Sequence, residues 1–291
     1  MGMVEAKLLK IGAVILVAIV FLGVGYYLYP VINPTTIGPP PEERPSIWEE
    51  IVSRGKIIVA TSPDWPPFEY LDPETNELIG YEVDLFNAIA GKLGLEVEWR
   101  HMSFDTIIAA VKNREVDLGV SGFSITPERY QEVIFTMPHI ITEVQLIMLA
   151  SRAEELGISK LSSIEDIAKY GLVVGTGSGT TQEDELLGLV TKGVISSDMV
   201  KSYPDFDTAL QELKNGNIDA LYAETPITTW WISTETVPLV VVYSRSYWPV
   251  AFVAHKDAHE LVIKINSALA ELFASGEIDR IRAKWNITSG L

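Results

Sequence analysis

Residues 104–117 read FDTIIAAVKNREVD, and residues 206–219 read FDTALQELKNGNID. Phe-Asp-Thr, Lys-Asn, a β-branched residue and the closing Asp recur in register, at an offset of 102. Ile107, Ile108 and Val111 match Ala209, Leu210 and Leu213 at helical spacing, which predicts an amphipathic helix in each copy. Each helix runs into a short apolar stretch, LGVSG from Leu118 or ALYAE from Ala220. A second match, at an offset of 115, pairs IIVATS (57–62) with LVVGTG (172–177). Apolar runs that end in turn residues read as buried parallel strands. Two matches in the same order predict two similar α/β lobes, each with its own small parallel sheet.

Ligands of such sheets bind beyond the carboxyl ends of the strands. Those ends are 62–65 and 121–124 in the first lobe, and 177–181 and 223–225 in the second. Four loops from two lobes predict one cleft between them. The chain after about Ser246 carries a further strand, VAFVAHK, and a helix over 258–274. Its expected return to the first lobe gives lobe 1 as 47–143 plus 246–291 and lobe 2 as 144–245. Two chain crossings then form a hinge.

Toward the N-terminus, Lys7 and Lys10 precede an apolar run over 11–29 without a charge or a Ser, Thr, Asn, Gln or His. About 20 apolar residues span a hydrocarbon core, whereas the apolar region of a cleaved signal is shorter. Tyr26, Tyr27, Tyr29 and Pro30 suit an interfacial belt. Residues 1–30 are therefore expected to be a transmembrane anchor in preference to a signal, with the rest of the chain on the extracytoplasmic side. Residues 31–46, with the run NPTTIGPPPEERP, read as a Pro-rich linker.

The 291 residues are 47% apolar and 21% charged, enough to bury packed cores. With no cysteine, disulfide scaffolds, thiol catalysis and cysteine-ligated zinc are excluded. The formal charge of −17 lies wholly on 47–291, with 36 acids against 19 bases. Without clustered Lys and Arg, nucleic acid is not an expected partner. His255 and His259 lack a third ligand for a metal, no nucleophile elbow occurs, and no cofactor is expected. Asn286-Ile287-Thr288 has the N-glycosylation acceptor pattern.

SITPER (124–129) reads as a helix start, with Thr126 as N-cap and Pro127 at the first helical position. Arg129 then lies in the first turn, where the helix dipole disfavours a cation. An anion beside it explains it better than mere surface exposure. GTGSGTTQE (175–183) is a Gly-rich strand-to-helix turn, with Thr180 or Thr181 as cap, whose free N–H groups can bind an anion or simply end a tight turn. Its spacing fits neither a dinucleotide nor a triphosphate loop, which leaves a small carboxylate. Glu224, with Ser124 and the Gly122 carbonyl opposite, offers a site for an ammonium; a solvated loop acid is the bland alternative. Trp65, Phe104 and Phe123 on cleft loops can enclose a side chain or serve as core.

Together TSPDWPPFEY, GYEVDLFNAIA, FDTIIAAVKNREVDLG, SGFSITPER, FTMPH, VVGTGSGTTQE and GNIDALYAE resemble the family 3 extracellular solute-binding proteins, over about 47–287. The resemblance implies a type II periplasmic-binding-protein-like clamshell, here with an N-terminal membrane helix, that delivers one polar amino acid to an ABC transporter permease. It implies that Arg129, Thr181 and the backbone near Thr180 hold the ligand carboxylate. Ser124, Gly122 and Glu224 then hold its ammonium, and Ser62, Trp65, Phe104 and Gly177 surround its side chain. Two positions depart from the family: Glu224 stands where Asp is usual, and Ser62 where many relatives with basic or amide ligands have Asp. Trp65 facing Phe104 suits a flat or cationic group, so arginine, glutamine, lysine or histidine is expected. The alternatives are a cyclohexadienyl or arogenate dehydratase, which needs a general acid, and a sensor lobe, against which the lack of a second apolar span argues.

Overall fold

Asp117 and Asp219 close the two copies of the repeat, and each ties its copy to a strand of its own sheet. In this computed structural model, which describes residues 45–287, Asp117 Oδ2 accepts the Ile58 N–H at 2.7 Å, and the Asp117 N–H donates to the Ile58 carbonyl at 2.9 Å. Asp219 Oδ2 accepts the Val173 N–H at 2.8 Å, and the Asp219 N–H donates to the Val173 carbonyl, also at 2.8 Å. Ile58 and Val173 are themselves equivalent at the offset of 115, so the two sequence matches are one structural repeat. The exits of the two repeat helices match as well. Asn113 and Asn215 are C-caps, and the next residue is left-handed: Arg114 at φ 60° and Gly216 at φ 74°. Glycine takes that conformation freely, whereas an L side chain costs on the order of 1 kcal/mol.

The first sheet runs β5-β1-β6-β13-β7. Its strands are β1 (Lys56–Thr61), β5 (Glu96–His101), β6 (Leu118–Gly119), β7 (Ile134–Phe135) and β13 (Val253–Ala254). The second runs β10-β9-β11-β8-β12, from β8 (Ile140–Leu149), β9 (Val174–Gly177), β10 (Val200–Tyr203), β11 (Ala220–Glu224) and β12 (Leu239–Val250). In each sheet the repeat contributes three parallel strands, β5-β1-β6 and β10-β9-β11. An antiparallel strand follows in each, β13 or β8. Short strands β2 (Asp64–Trp65), β3 (Glu69–Leu71) and β4 (Leu78–Ile79) form a small antiparallel sheet after β1.

Helices cover both sheets. Lobe 1 has α1 (Ile47–Arg54), α2 (Tyr81–Leu93), the repeat helix α3 (Phe104–Lys112) and α4 (Pro127–Tyr130). Lobe 2 has α5 (Ala150–Glu155), α6 (Ile167–Tyr170), α7 (Thr181–Thr191), the repeat helix α8 (Phe206–Lys214) and α9 (Thr225–Thr234). The chain ends in α10 (His259–Ala274) and α11 (Glu277–Lys284), with α10 packed on α1 and α2. Ile107 and Val111 of α3 are fully buried with Ala60, Phe123 and Val253; Ala209, Leu210 and Leu213 of α8 are buried too. Each buried Val, Ile or Leu among them contributes about 1.5–3 kcal/mol.

The lobes are joined by β8 and β12, which pair antiparallel from Ile140–Val250 to Leu149–Leu239. The chain enters β8 where the His139 N–H donates to the Val250 carbonyl, and leaves β12 where the Ala251 N–H donates to the Phe123 carbonyl. The register of this ribbon shifts between Ser246 and Pro249. The strand expected at VAFVAHK is shortened to β13, because this crossing takes up the residues before it.

The expected transmembrane helix needs correction. Among the described residues no helix is long and apolar enough to cross a membrane. The 16-residue α10 reaches only about 24 Å against a hydrocarbon core of about 30 Å, and it carries Glu260, Lys264 and Glu271. The apolar run at 11–29 and residues 31–44 of the linker expected at 31–46 lie outside the described residues, as does Thr288; Ser46, the last linker residue, instead caps α1. The described residues form the two-lobe α/β clamshell. The single-pass localisation, the transmembrane assignment and the membrane as a partner are not retained.

Candidate functional site

The loops after β1, β6 and β9 and the end of β11 line one cleft. Trp65, Phe104, Gly122, Ser124, Arg129, Gly177, Thr180, Thr181 and Glu224 all line it. Ser62 and Phe123 stand one layer behind. Ser62 Oγ donates to Asp64 Oδ1 at 2.6 Å, and the fully buried Phe123 ring stacks on Phe104 with centroids 4.8 Å apart.

Thr180 and Arg129 bring together groups that can interact with an anion. Thr180 is the N-cap of α7, and its Oγ1 accepts the Glu183 N–H at 3.2 Å. N–H groups of a helix's first turn lack intrahelical acceptors and carry partial positive charge. Arg129 approaches from the other lobe. Thr126 caps α4 by accepting the Arg129 N–H at 3.2 Å, which fixes the backbone from which the arginine projects. Its Nη1 donates to the Ser124 carbonyl at 3.1 Å and its Nη2 to the Gly179 carbonyl at 3.0 Å. The guanidinium lies over the Phe104 and Phe123 rings, at 5.4 and 5.6 Å. A carboxylate here meets a buried cation from one lobe and a helix N-terminus from the other.

Glu224 brings a carboxylate to the same cleft, a group that can interact with a cation. Glu224 ends β11 and stands at the N-cap of α9 without capping it. Its Oε1 accepts the Ser124 hydroxyl at 2.9 Å and Gln182 Nε2 at 3.2 Å; its Oε2 accepts the Thr142 hydroxyl at 2.6 Å. Burial pushes Glu224 above the usual carboxylate range, while Thr142, Gln182, Ser124 and the Arg129 charge pull it back. Gly122 lies alongside at φ 60°. A Cβ there would stand 2.1 Å from the Trp65 ring, so glycine alone fits. Its N–H donates to Glu82 Oε2 at 2.9 Å. Gln182 and Thr142 are missing from the sequence-based set; Thr142 lies on the crossing strand, where no site motif marked it.

The cleft also holds Asp64, Glu69, Asp205 and Phe206, which sequence reasoning passed over. For Phe206 the signal was available, because it is the repeat partner of Phe104. For Asp64 it was obscured by position. The acid sits two residues after Ser62, and the Ser62 hydroxyl bonds to it. Asp64 Oδ2 accepts the Phe206 N–H from the other lobe at 2.8 Å. Burial pushes Asp64 up, Ser62 and Phe206 draw it back, and Asp205 pushes it up again.

The described part of the chain matches known proteins almost throughout. The bacterial extracellular solute-binding proteins, family 3, match residues 57–288. The arginine-binding extracellular protein ArtP of Bacillus subtilis is 29% identical over 232 residues, 79% of this chain and 86% of that protein. An ancestral arginine-binding protein, solved bound to arginine, superposes with a TM-score of 0.72 at 31% identity, covering 80% of this chain and 98% of the other. An ancestral amino acid-binding protein, described as a precursor of cyclohexadienyl dehydratase, gives a TM-score of 0.71 at 28% identity, covering 83% and 99%.

Proposed function

Because the chain belongs to the bacterial extracellular solute-binding proteins, family 3, we infer that it is the extracytoplasmic substrate-binding component of an ABC transporter, capturing a basic or polar amino acid for the permease. It is a binding protein and not an enzyme. The relatives are named for the amino acids they bind, and even the solved precursor of a dehydratase is an amino acid-binding protein. Arg129, Thr181 and the Thr180 backbone would take the ligand carboxylate. Glu224, Ser124 and the Gly122 carbonyl would take its ammonium.

The preferred ligand is arginine. The observation that carries this is the acids that line the cleft, Asp64, Glu69 and Asp205, together with the Trp65 and Phe206 rings. Carboxylates accept a planar guanidinium by paired hydrogen bonds, and aromatic faces attract it. Asp64 thus supplies the acid that Ser62 lacks. In a thermal-unfolding screen, arginine at about 100 times its dissociation constant is expected to add about 2.7 kcal/mol. Lysine and histidine should add less at equal concentration. Equal stabilisation by glutamine or citrulline would overturn the choice of a cationic ligand.

Capture is expected to proceed by closure. The contacts that cross the cleft include Ser124 to Glu224, Arg129 to the Gly179 carbonyl, Asp64 to the Phe206 N–H, Ser178 to Asp105 and the Tyr70–Trp230 ring pair. A ligand that touches both lobes favours the arrangement in which they meet, and this differential affinity shifts the population. The hinges are assigned to 142–145 on β8 and 244–248 on β12. Small-angle scattering should give a smaller radius of gyration with bound arginine. An unchanged radius at saturation would remove the hinge.

A further inference from the structure

Beneath the ligand cleft lies a chain of buried ionisable groups that ligand contacts alone do not explain. Glu69 forms part of the cleft lining, yet solvent does not reach its side chain. Its Oε1 accepts the Ser121 hydroxyl at 3.0 Å, and its Oε2 receives no hydrogen bond from any N–H or O–H. Next to it is the fully buried Glu82. Glu82 Oε2 accepts the Gly122 N–H at 2.9 Å, and Glu82 Oε1 stands 3.0 Å from His139 Nε2. His139 Nδ1 meets the Tyr81 hydroxyl at 3.2 Å.

Two adjoining buried carboxylates cannot both stay ionised without a counter-charge, and they can bond to each other only through a proton. The surroundings decide which of them carries it. Glu82 lies in the first turn of the 13-residue α2, where the helix dipole favours an anion. It also accepts the Gly122 N–H, while its Oε1, 3.0 Å from His139 Nε2, completes no hydrogen bond. Glu69 has one hydroxyl donor and no cation among its contacts. Burial and then the Glu82 charge push Glu69 well above the usual carboxylate range, and Asp64 adds to this.

We propose that Glu69, buried beside Glu82 with one carboxylate oxygen lacking a hydrogen bond, carries a proton at neutral pH, and that a cationic ligand side chain expels it, so that capture of a basic amino acid releases a proton. The O–H bond of the Glu69 acid breaks, its electron pair stays on the carboxylate, and the proton passes to the buffer. The N–H groups of the ligand replace the lost proton, so one positive charge enters as another leaves. A neutral amide ligand needs no such exchange, which makes Glu69 a specificity-determining residue between basic and amide ligands. The inference rests on the proposed basic ligand. The other ionisable groups around the pair are Asp64 on β2, Tyr81 on α2, His139 before β8 and Arg282 on α11, whose Nη2 donates to the His139 carbonyl. Across the same cleft stand Arg129 and Glu224.

Calorimetric titration of the protein with L-arginine, in Tris and in phosphate at one pH near neutral, tests this. Release of about one proton per arginine makes the observed heat differ between buffers of different ionisation enthalpy. Arginine affinity should climb by up to about tenfold per pH unit while Glu69 is protonated without ligand, and level off above that range. Glutamine, if it binds, should show neither effect. In Glu69→Gln the buffer dependence should vanish and the preference for arginine over glutamine should fall. Arginine binding with equal heats in both buffers and a flat pH profile would overturn the proton exchange and leave the ligand standing. A failure of every basic amino acid to bind would overturn both.

Discussion

Arg129→Ala should weaken amino acid binding by about 2–5 kcal/mol, roughly 30-fold to several thousand-fold, while the ligand-free protein keeps its fold. The size follows from burial. Arg129 is 9% exposed, so a ligand carboxylate beside it exchanges water for a charge-assisted pair away from solvent. Removing one partner leaves the other without compensation, which costs more than the pair gains on forming. Within the protein the Arg129 side chain contacts, among others, two carbonyls and two ring faces. Arg129→Lys should recover only part of the loss, because an ammonium cannot reproduce the planar fork. Calorimetry against arginine checks this, with unfolding monitored in the same samples. An alanine variant within about threefold of wild type would sink the carboxylate role.

The two lobes could be read from the sequence because their defining pattern is local. A helix of nine residues with its strand fits inside one stretch of chain. The aspartates that close the repeat matched because each holds the same backbone position in its own sheet. Arg129 and Thr180 were legible for a related reason, since caps and first turns are short-range signals. What the sequence hid was whatever the cleft assembles from distant segments. Asp64 and Asp205 are far apart along the chain and meet only when one lobe lies against the other. Gln182 points at Glu224 because α7 and β11 are neighbours in the second lobe, which no spacing announces. The buried Glu82–His139 contact spans the GYEVDL and FTMPH motifs, each noticed separately and neither readable as a partner of the other.

Glu224 brings the local and the assembled together, and Glu224→Gln should separate its two effects. In the ligand-free protein the carboxylate is a liability, because it is buried and its proton affinity is raised. A carboxyl with a folded pKa above its unfolded one adds stability only in the protonated form. That contribution is full below the unfolded value and is lost as pH rises through the folded one. At neutral pH the amide has no ionisation to suppress, so ligand-free Glu224→Gln should be as stable as wild type or more so. The advantage should disappear as pH falls toward the ordinary carboxylate range. The shape is kept, and the Thr142 hydroxyl can turn to accept from the new amide.

Binding should move the other way. The amide carries no charge to set against an α-ammonium and puts a donor where an acceptor is needed, so affinity for any α-amino acid should fall by about 2–5 kcal/mol. The same comparison with a des-amino analogue of arginine should show almost no difference between wild type and variant. If Glu224→Gln instead weakened both ligands equally, the carboxylate would be a strut between Ser124 and Thr142 across the cleft. The ammonium would then have to be sought elsewhere on the wall.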